Sequence, residues 1–409
     1  MRTRATVRDL RRVNRTAILR RLFLAGRLNR VVLAQLTGLS AGSVTNVTAE
    51  LLEEGLIREV GFEESDGGRP RVLLEINPDF GAVIGIDVGE TGILVEAFDL
   101  SMSELAAAAT PLHPQHHDSA SVIEHIAGAV NGLKLKLEAE GRNLLGVGIA
   151  LPGVVEHLGE TRAWAPNIGW DDVRIESLLQ ERVDLPVRAE NGAKTLGQAE
   201  MWLGAGRGAD HAIVTLWGTG VGAAIFTDGA LYRGAASSAG EWGHVSIVTG
   251  GKLCRCGARG CLEAYIGAGP LRASWAELEP DAAKNTDPDS EMWIDDLLAN
   301  AHSSAAARKL LDDTAVYFGT AAANLANLFN PERIIVGGWV GLRLGPALLP
   351  RMQEVLGEQA LEYAAARVSL ELGQLGTDAV ALGASTLIVE EILVRGGRQL
   401  VRERLTVSD

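Results

Sequence analysis

Apolar residues near the start of the chain recur every three or four positions in three consecutive segments. This spacing predicts three amphipathic helices, because residues three and four apart share one face of a helix. The turn Gly38-Leu39-Ser40 separates the second helix from the third, and a short glycine-containing turn between two helices is typical of a helix-turn-helix. We expect Asn14 to cap the first helix and Gly26 to end it. The predicted helices are 14–23, 30–37 and 41–54.

An alternating pattern follows the third helix and predicts two strands, 56–60 and 71–76, joined by a wing whose tip is Gly67-Gly68-Arg69-Pro70. An arginine on a slim turn suits a narrow, A·T-rich minor groove, and small polar residues on a recognition helix suit a major groove. A winged helix used only for protein contacts is the alternative. The candidate DNA-binding residues are Arg30, Ser40, Ser43, Thr45, Asn46, Thr48 and Arg69.

The distribution of charge favours nucleic-acid binding by this head, although the whole chain of 409 residues carries −14. Thirteen arginines against eight acids give residues 1–71 a charge of +5, which leaves −19 for the rest. A basic head on an acidic body is the asymmetry of a DNA-binding module joined to another domain. A basic, disordered tail explains residues 2–12 but not the helical pattern after them. No apolar run approaches the roughly 20 residues of a membrane helix, so we expect a cytoplasmic protein.

The pattern changes after residue 77 to short buried strands that end in glycine turns, as in an α/β fold. One strand runs into Asp87-Val88-Gly89-Glu90-Thr91 and is followed directly by a second strand. A later strand runs into Gly218-Thr219-Gly220-Val221-Gly222 in the same way, which indicates two similar halves. Another strand closes with Gly337-Gly338. Long apolar helices are predicted at 119–140, 304–329 and 380–394.

All three cysteines of the chain lie in one short run after a histidine, with the spacing His-x9-Cys-x-Cys-x4-Cys. One imidazole and three thiolates, from His244, Cys254, Cys256 and Cys261, form the closed tetrahedral shell of a structural Zn²⁺ site. Inert buried cysteines beside an unrelated histidine are the alternative, and the odd number of thiols argues against disulfides. Glu241 and Glu263 flank the ligands and are candidates to bind a polyhydroxyl ligand, unless both are solvated loop residues.

Together these motifs resemble the ROK family (repressor, open reading frame, kinase), in particular its transcriptional regulators. The resemblance implies a winged helix-turn-helix followed by two actin-like (ribonuclease-H-like) α/β lobes around a sugar-binding cleft. It implies sugar contacts from Gly153, Asn191, Glu241, His244 and Glu263. It also implies a nucleotide side, vestigial here, formed by Asp87, Gly89, Thr91, Gly218, Thr219, Gly220, Gly222, Gly337 and Gly338.

Two departures from the family's kinases predict that this chain is not an enzyme. The kinases carry an aspartate after Asn191 as general base, and Gly192 replaces it here. Glu90 stands where the kinases have a second glycine, which puts a carboxylate beside the triphosphate. We therefore expect no catalytic residues and a sensor that keeps its sugar pocket.

The resulting hypothesis is a sugar-responsive regulator, most simply a repressor of carbohydrate genes, that binds a near-palindromic operator as a homodimer or homotetramer. The alternatives are an ATP-dependent sugar kinase with an attached DNA-binding head, and a regulator that responds to a protein partner. The expected domains are a head at 1–78, a first lobe at 79–190 with a returning C-terminal helix at about 380–398, and a second lobe at 191–379.

Overall fold

The computed structural model describes residues 6–63, 70–112, 118–280 and 292–398. The predicted wing tip with Arg69 and the polar loop 281–290 lie outside these ranges. The chain divides into two compact units. The first unit consists of Met1–Gly153, Glu160–Glu190 and Ala384–Asp409, and the second of Val154–Gly159 and Asn191–Gly383.

The head begins with three helices, α1 (Val7–Ala25), α2 (Arg30–Thr37) and α3 (Ala41–Glu53). The prediction that Asn14 caps α1 is wrong by eight residues. Thr6 caps it instead, because its hydroxyl accepts from Asp9 N at 3.2 Å while the Asp9 carboxylate accepts from Thr6 N at 3.0 Å. Gly26 ends the helix as predicted.

The helix-turn-helix and the two wing strands are confirmed. Asn29 caps α2 and Ser40 caps α3, while Gly38 occupies the left-handed region at a φ of 68° and turns the chain between them. The strands β2 (Ile57–Glu63) and β3 (Arg71–Ile76) pair antiparallel. The short strand β1 (Leu28–Asn29), which the sequence pattern did not predict, pairs with the other side of β3.

The body of the first unit is built on a five-stranded sheet of order β11-β7-β4-β5-β6, in which β4 and β7 run parallel. A hairpin, β9 and β10, lies between β7 and β11 in the sequence. These strands are β4 (Ala82–Val88), β5 (Gly92–Asp99), β6 (Glu104–Pro111), β7 (Leu144–Leu151), β9 (Arg162–Ala165), β10 (Trp170–Val173) and β11 (Val187–Asn191). The helices of this body are α4 (Ser119–Ala139) and α5 (Ile175–Gln180). The part of the last helix that follows Gly383 also belongs to this unit.

The second unit repeats this arrangement with a sheet of order β14-β13-β12-β15-β16. Each sheet contains an antiparallel hairpin, β4–β5 in the first unit and β12–β13 in the second. The first strand of each hairpin also pairs with a parallel strand on its other side, β4 with β7 and β12 with β15. The strands of this sheet are β12 (Ala212–Trp217), β13 (Val221–Thr227), β14 (Ala230–Leu231), β15 (Arg333–Gly337) and β16 (Ser369–Leu372). The strand β8 (Val154–Glu156) belongs to the second unit but not to this sheet. The helices are α6 (Gly192–Leu203), α7 (Glu263–Ile266), α8 (Ala268–Leu278), α9 (Trp293–Asn300), α10 (Ala305–Phe329), α11 (Trp339–Gln359) and α12 (Glu362–Ala365).

The last helix, α13 (Ala379–Val394), begins in the second unit and continues into the first. In the first unit it lies directly on β7, because a Cβ on Gly148 would come within 1.7 Å of Ala384 O. Only glycine permits this approach of a helix backbone to a strand. The predicted fold, a winged helix-turn-helix followed by two similar α/β halves, is confirmed, and none of the described helices is long and apolar enough to cross a membrane.

Candidate functional site

The turn Gly240–His244 is fixed by its tryptophan and its glycines. Trp242 is buried, its indole Nε1 donates to Ala321 O at 3.3 Å, and its ring meets Phe318 edge-on at 5.2 Å between centroids. A Cβ on Gly240 would lie 2.0 Å from Ala223 O, and one on Gly243 would lie 2.1 Å from Val221 O. The turn therefore lies against the backbone of β13, which positions the backbone from which Glu241 and His244 project.

The four predicted metal ligands come together in the second unit. One ligand atom each from His244, Cys254, Cys256 and Cys261 lies within 4.8 Å of all the others. Cys254 Sγ is 3.7 Å from His244 Nδ1, and Cys256 Sγ is 3.7 Å from Cys261 Sγ. The loop is closed by backbone pairing, including Gly260 N to Lys252 O at 2.9 Å. Three sulfur atoms and one imidazole nitrogen at this spacing are compatible with a tetrahedral metal site.

Burial works against ionisation of two of these thiols. It raises the pKa of Cys254, and with the neighbouring thiols it raises the pKa of Cys261 to about 12. A hydrogen bond from the backbone at Ala258 lowers the pKa of Cys256. Since thiolates rather than thiols bind metals, a bound cation is what would offset the cost of charging the buried pair.

Glu263 is the most firmly held acid of the site. It is buried, and it begins α7 directly after the cysteine loop. Its Oε2 accepts from Val221 N at 2.9 Å, and its Oε1 accepts from Arg255 Nε at 2.9 Å. Both partners are donors, so this carboxylate is oriented before any ligand arrives.

Glu241 lies in a different environment. Burial raises the pKa of its carboxyl group, the nearby Glu263 raises it further, and the charges of His244 and Lys194 partly oppose the effect. Lys194 is itself buried, and its ammonium group donates to Ser237 O. Two acids, one imidazole and one ammonium group thus share a small part of the second unit.

The first turn of α6 belongs to the same neighbourhood. Asn191 caps the helix, and its Oδ1 accepts from Ala193 N at 2.9 Å and from Lys194 N at 3.2 Å. A Cβ on Gly222 would lie 3.1 Å from Ala193 Cβ, so β13 passes close to this turn. Gly220 comes near the acids as well, since its Cβ would be 3.2 Å from Glu263 Oε2.

The remaining glycine turns of the second unit also lie close together. Gly218 accepts from Ala268 N at 3.1 Å through its carbonyl oxygen, which ties the Gly218–Gly222 turn to the start of α8. Gly338 has a φ of 80°, and a Cβ there would lie 2.6 Å from Trp217 O. The turn Gly337–Gly338 is thereby packed on the end of β12.

The other predicted site residues belong to the first unit. Gly153 has a φ of 76°, and its Cβ would lie 2.1 Å from Trp164 O, so this position requires glycine. Asp87 lies near the end of β4, and Gly89 N donates to Gly92 O at 2.8 Å within the following turn. Thr91 accepts from Leu112 N at 2.9 Å through its carbonyl oxygen.

On the recognition helix α3, Thr45 and Asn46 are exposed, Ser43 is half-buried, and Ser40 caps the helix. Thr48 differs from them because it is fully buried. Its Oγ1 accepts from Arg30 Nε at 3.0 Å, and Arg30 Nη2 is 3.3 Å from Glu59 Oε1 on β2. In this structure Thr48 therefore positions Arg30 and does not present its hydroxyl to solvent.

Two residues of the site were not among the candidates, Lys194 and Arg255. The sequence position of each residue could have suggested that it belongs to the site. Lys194 stands in the first turn of the helix that Asn191 opens, and Arg255 stands between two metal ligands. The position of Arg255 does not reveal that it pairs with Glu263, eight residues later, because the folding of the loop around the cysteines sets that contact. The position of Lys194 does not reveal that it is buried near Glu241, because these two residues lie on segments far apart in the chain.

Comparisons with known proteins identify the family of the chain and relatives that share its fold. The ROK family profile matches residues 83–391. A xylose repressor of Caldicellulosiruptor bescii is 29% identical over 391 residues, which is 94% of this chain and 97% of the repressor. A glucokinase of Halalkalibacterium halodurans is 32% identical over 315 residues, 75% of this chain and 95% of the kinase. The crystal structure of a ROK transcriptional regulator, a homologue of Escherichia coli Mlc, superposes with a TM-score of 0.79 at 24% identity and covers 95% of this chain and 98% of its own.

Proposed function

Because the chain belongs to the ROK family, we propose that it is a sugar-responsive transcriptional repressor whose kinase-like body binds a sugar without phosphorylating it. The carrying observation is the extent of the two matches. The repressor aligns with 94% of the chain, whereas the glucokinase aligns with only 75%. The difference between the two aligned lengths is about the length of the winged-helix head, a domain that a kinase does not need.

We assign the cluster of His244, Cys254, Cys256 and Cys261 to one structural Zn²⁺ per chain. The donor set of three thiolates and one imidazole leaves no open position for a substrate, as in structural rather than catalytic zinc sites. When bound, the ion supplies the charge that keeps the buried thiolates ionised. The chain's own contribution is to hold His244 and the loop before Glu263 in place.

The sugar is proposed to contact the five residues that the family resemblance implies, Gly153, Asn191, Glu241, His244 and Glu263. Support comes from Glu263, which is already oriented by Val221 N and Arg255 and keeps acceptor capacity for hydroxyl groups. Buried, pre-oriented acceptors discriminate strongly between ligands with and without a matching hydroxyl. The xylose of the repressor's name and the glucose of the kinase's name are the first two candidates.

For the operator, we propose that Ser43, Thr45 and Asn46 read the major groove and that Ser40 contacts a phosphate. Arg30 is held by Thr48 for a backbone contact, and Arg69 is assigned to the minor groove from its sequence alone. A homodimer or homotetramer would present two α3 helices roughly 34 Å apart, one turn of DNA. The head (1–78), the lobes at 79–190 and 191–379 and the cytoplasmic location are proposed as part of the same assignment.

We expect no sugar-dependent ADP release from ATP above the buffer rate, with either xylose or glucose. Gly192 offers no side chain as a base, and a positioned base typically contributes about 10²–10⁴ in rate. A coupled assay on the purified chain measures it, with a ROK glucokinase as positive control and Gly192→Asp as the informative variant. Turnover by the unmodified chain would establish the kinase alternative.

The test of the whole proposal is fluorescence anisotropy on a duplex from upstream of the protein's own gene, titrated without sugar and with xylose, glucose or N-acetylglucosamine. Specific binding with a Kd of roughly 10⁻⁸ M or tighter is expected. One sugar should weaken it by about 5- to 150-fold. Binding that no sugar alters would favour a protein partner as the signal, and no specific binding would reject the repressor.

A further inference from the structure

The last two carbonyl groups of α13 receive side-chain hydrogen bonds from the first helix of the head. The last carbonyls of any helix lack partners within the helix. Here the Thr16 hydroxyl lies 2.8 Å from Leu393 O and 3.1 Å from Val394 O, and Arg15 Nε donates to Gly396 O at 2.6 Å. The end of the last body helix is therefore held by side chains of α1.

Arg15 continues this contact to the recognition helix. It is only 5% exposed although it is an arginine. Its Nη1 donates to Glu54 Oε1 at 2.9 Å and lies 3.3 Å from Glu50 Oε2, and Nη2 pairs with the other oxygen of Glu54. Glu50 and Glu54 are the last turn of α3 and its cap. This buried guanidinium places one donor on the turn after α13 and the others on α3 and its cap. It thereby fixes the distance between the two elements, because losing a carboxylate partner leaves a buried charge uncompensated.

Two glycines allow the chain to pass this close to the head. Gly396 and Gly397 have φ values of 71° and 86°. A Cβ on Gly397 would lie 2.3 Å from Leu56 Cδ2 and 3.2 Å from Leu19 Cδ1. The turn after α13 is thus packed on the core of the winged helix and is held there by its backbone.

One turn earlier, α13 is held by the sheet of the body. Arg188 on β11 forms an ion pair with Glu391. Its Nη2 donates to Oε1 at 2.9 Å, and its Nε lies 2.6 Å from Oε2 without making a hydrogen bond to it. Arg395 Nη2 donates to the same carboxylate at 2.6 Å. Three residues after Arg188, the same strand ends in Asn191, the cap of α6.

We propose that effector binding is transmitted to the recognition helix through one contact chain, which runs from Arg188 to Glu391, through the Leu393–Gly397 turn to Arg15, and on to Glu50 and Glu54. We name it the Arg188–Glu54 relay. It deepens the proposed function and rests on it. Displacement of the end of β11 by a sugar would move Glu391 and the turn, and Arg15 would carry the movement to α3. Closely packed, hydrogen-bonded contacts of this kind change between discrete arrangements.

The direct test is Glu391→Gln, which keeps the size of the side chain and removes its charge. We expect the ratio of operator Kd with and without sugar to fall from the wild-type 5- to 150-fold range to below about 2-fold. Operator Kd without sugar and sugar Kd should each change by less than about 3-fold. The probe sugar is whichever of xylose, glucose or N-acetylglucosamine acts on the unmodified chain. A folded Glu391→Gln protein with the wild-type ratio would overturn the relay.

Two further variants test whether the effect is specific to the relay. Glu124→Gln is the matched control, because Glu124 also accepts from an arginine of the first unit, Arg182 Nε at 2.6 Å, but lies on α4 and outside the relay. It should keep the wild-type ratio.

Thr16→Val removes both hydrogen bonds to the end of α13 at nearly constant volume and should lower the ratio as Glu391→Gln does. A double variant no worse than either single one would indicate one shared path.

A measurement without sugar separates this inference from the proposed function. Operator binding should slow hydrogen exchange at the amides of Gly396 and Gly397 and at Val187–Asn191, because coupling between two sites is reciprocal. In Glu391→Gln the protection should remain at the turn and disappear from Val187–Asn191. Equal protection on operator binding in the unmodified chain and in Glu391→Gln would reject the relay, even if no sugar changes operator binding. If no sugar changes operator binding by the unmodified chain, only the assignment of a sugar as effector is rejected.

Discussion

Replacing Cys256 by alanine is expected to abolish the sugar response while operator binding survives. The variant leaves three ligands for a zinc ion and removes the one thiol whose pKa is lowered. Zinc content should fall from about one ion per chain to below about 0.1, and sugar Kd should rise more than about 100-fold, because structural zinc contributes on the order of 10 kcal/mol to the folding of its loop. The head and the cysteine loop belong to different units, so operator Kd without sugar should change less than about 3-fold.

Ser246→Ala is the control for this variant. It is a comparable truncation in the same loop, at an exposed residue whose hydroxyl contacts only Arg259 O, at 3.4 Å, among the described residues. Zinc content by atomic absorption, sugar binding by calorimetry and operator binding by anisotropy are measured on all three proteins. A zinc-free Cys256→Ala protein that still releases the operator on adding sugar would refute the structural role of the site.

Replacing Glu263 by alanine is expected to remove the sugar response with zinc still bound. The carboxylate accepts from Val221 N and Arg255 and, in the proposed complex, also from one or two sugar hydroxyls. Hydrogen bonds to a charged group contribute about 1.5–3 kcal/mol each, so sugar Kd should rise roughly 10- to 100-fold or more. Operator binding without sugar should stay within about 3-fold of the unmodified chain.

Glu263→Gln separates ligand binding from folding. The amide keeps an acceptor for Val221 N but loses the charge that pairs with Arg255, so it should bind sugar with intermediate affinity. Glu277→Ala, an exposed acid on α8, should behave as the unmodified chain. If Glu263→Ala lost zinc and operator binding together with sugar, the residue would be a structural support, and unchanged sugar affinity would remove it from the site altogether.

Much of the fold could be predicted because local signals and tertiary structure agree. The helix Ala305–Phe329 begins at its Ser304 cap and ends at Asn330 in the left-handed region, within one residue of the prediction. Helix α11 had no such signal, since Pro346 and Pro350 stand inside it. Prolines normally interrupt a helix, yet Val340, Leu344, Leu348 and Met352 follow at intervals of four and are buried, and this packing outweighs the local cost.

The sequence by itself determined which residues meet in the metal cluster, because His244 and the three cysteines lie within one short loop whose glycines set its path. It determined the helix-turn-helix for the same reason, through caps and periodicity. The tertiary structure alone decided how the acids and arginines are used. Glu263 meets Val221, Thr48 turns inward to hold Arg30, and Arg15 of the basic head is buried against Glu54 and Gly396 O. Such contacts join residues distant along the chain, and their geometry is set by packing that no local pattern encodes.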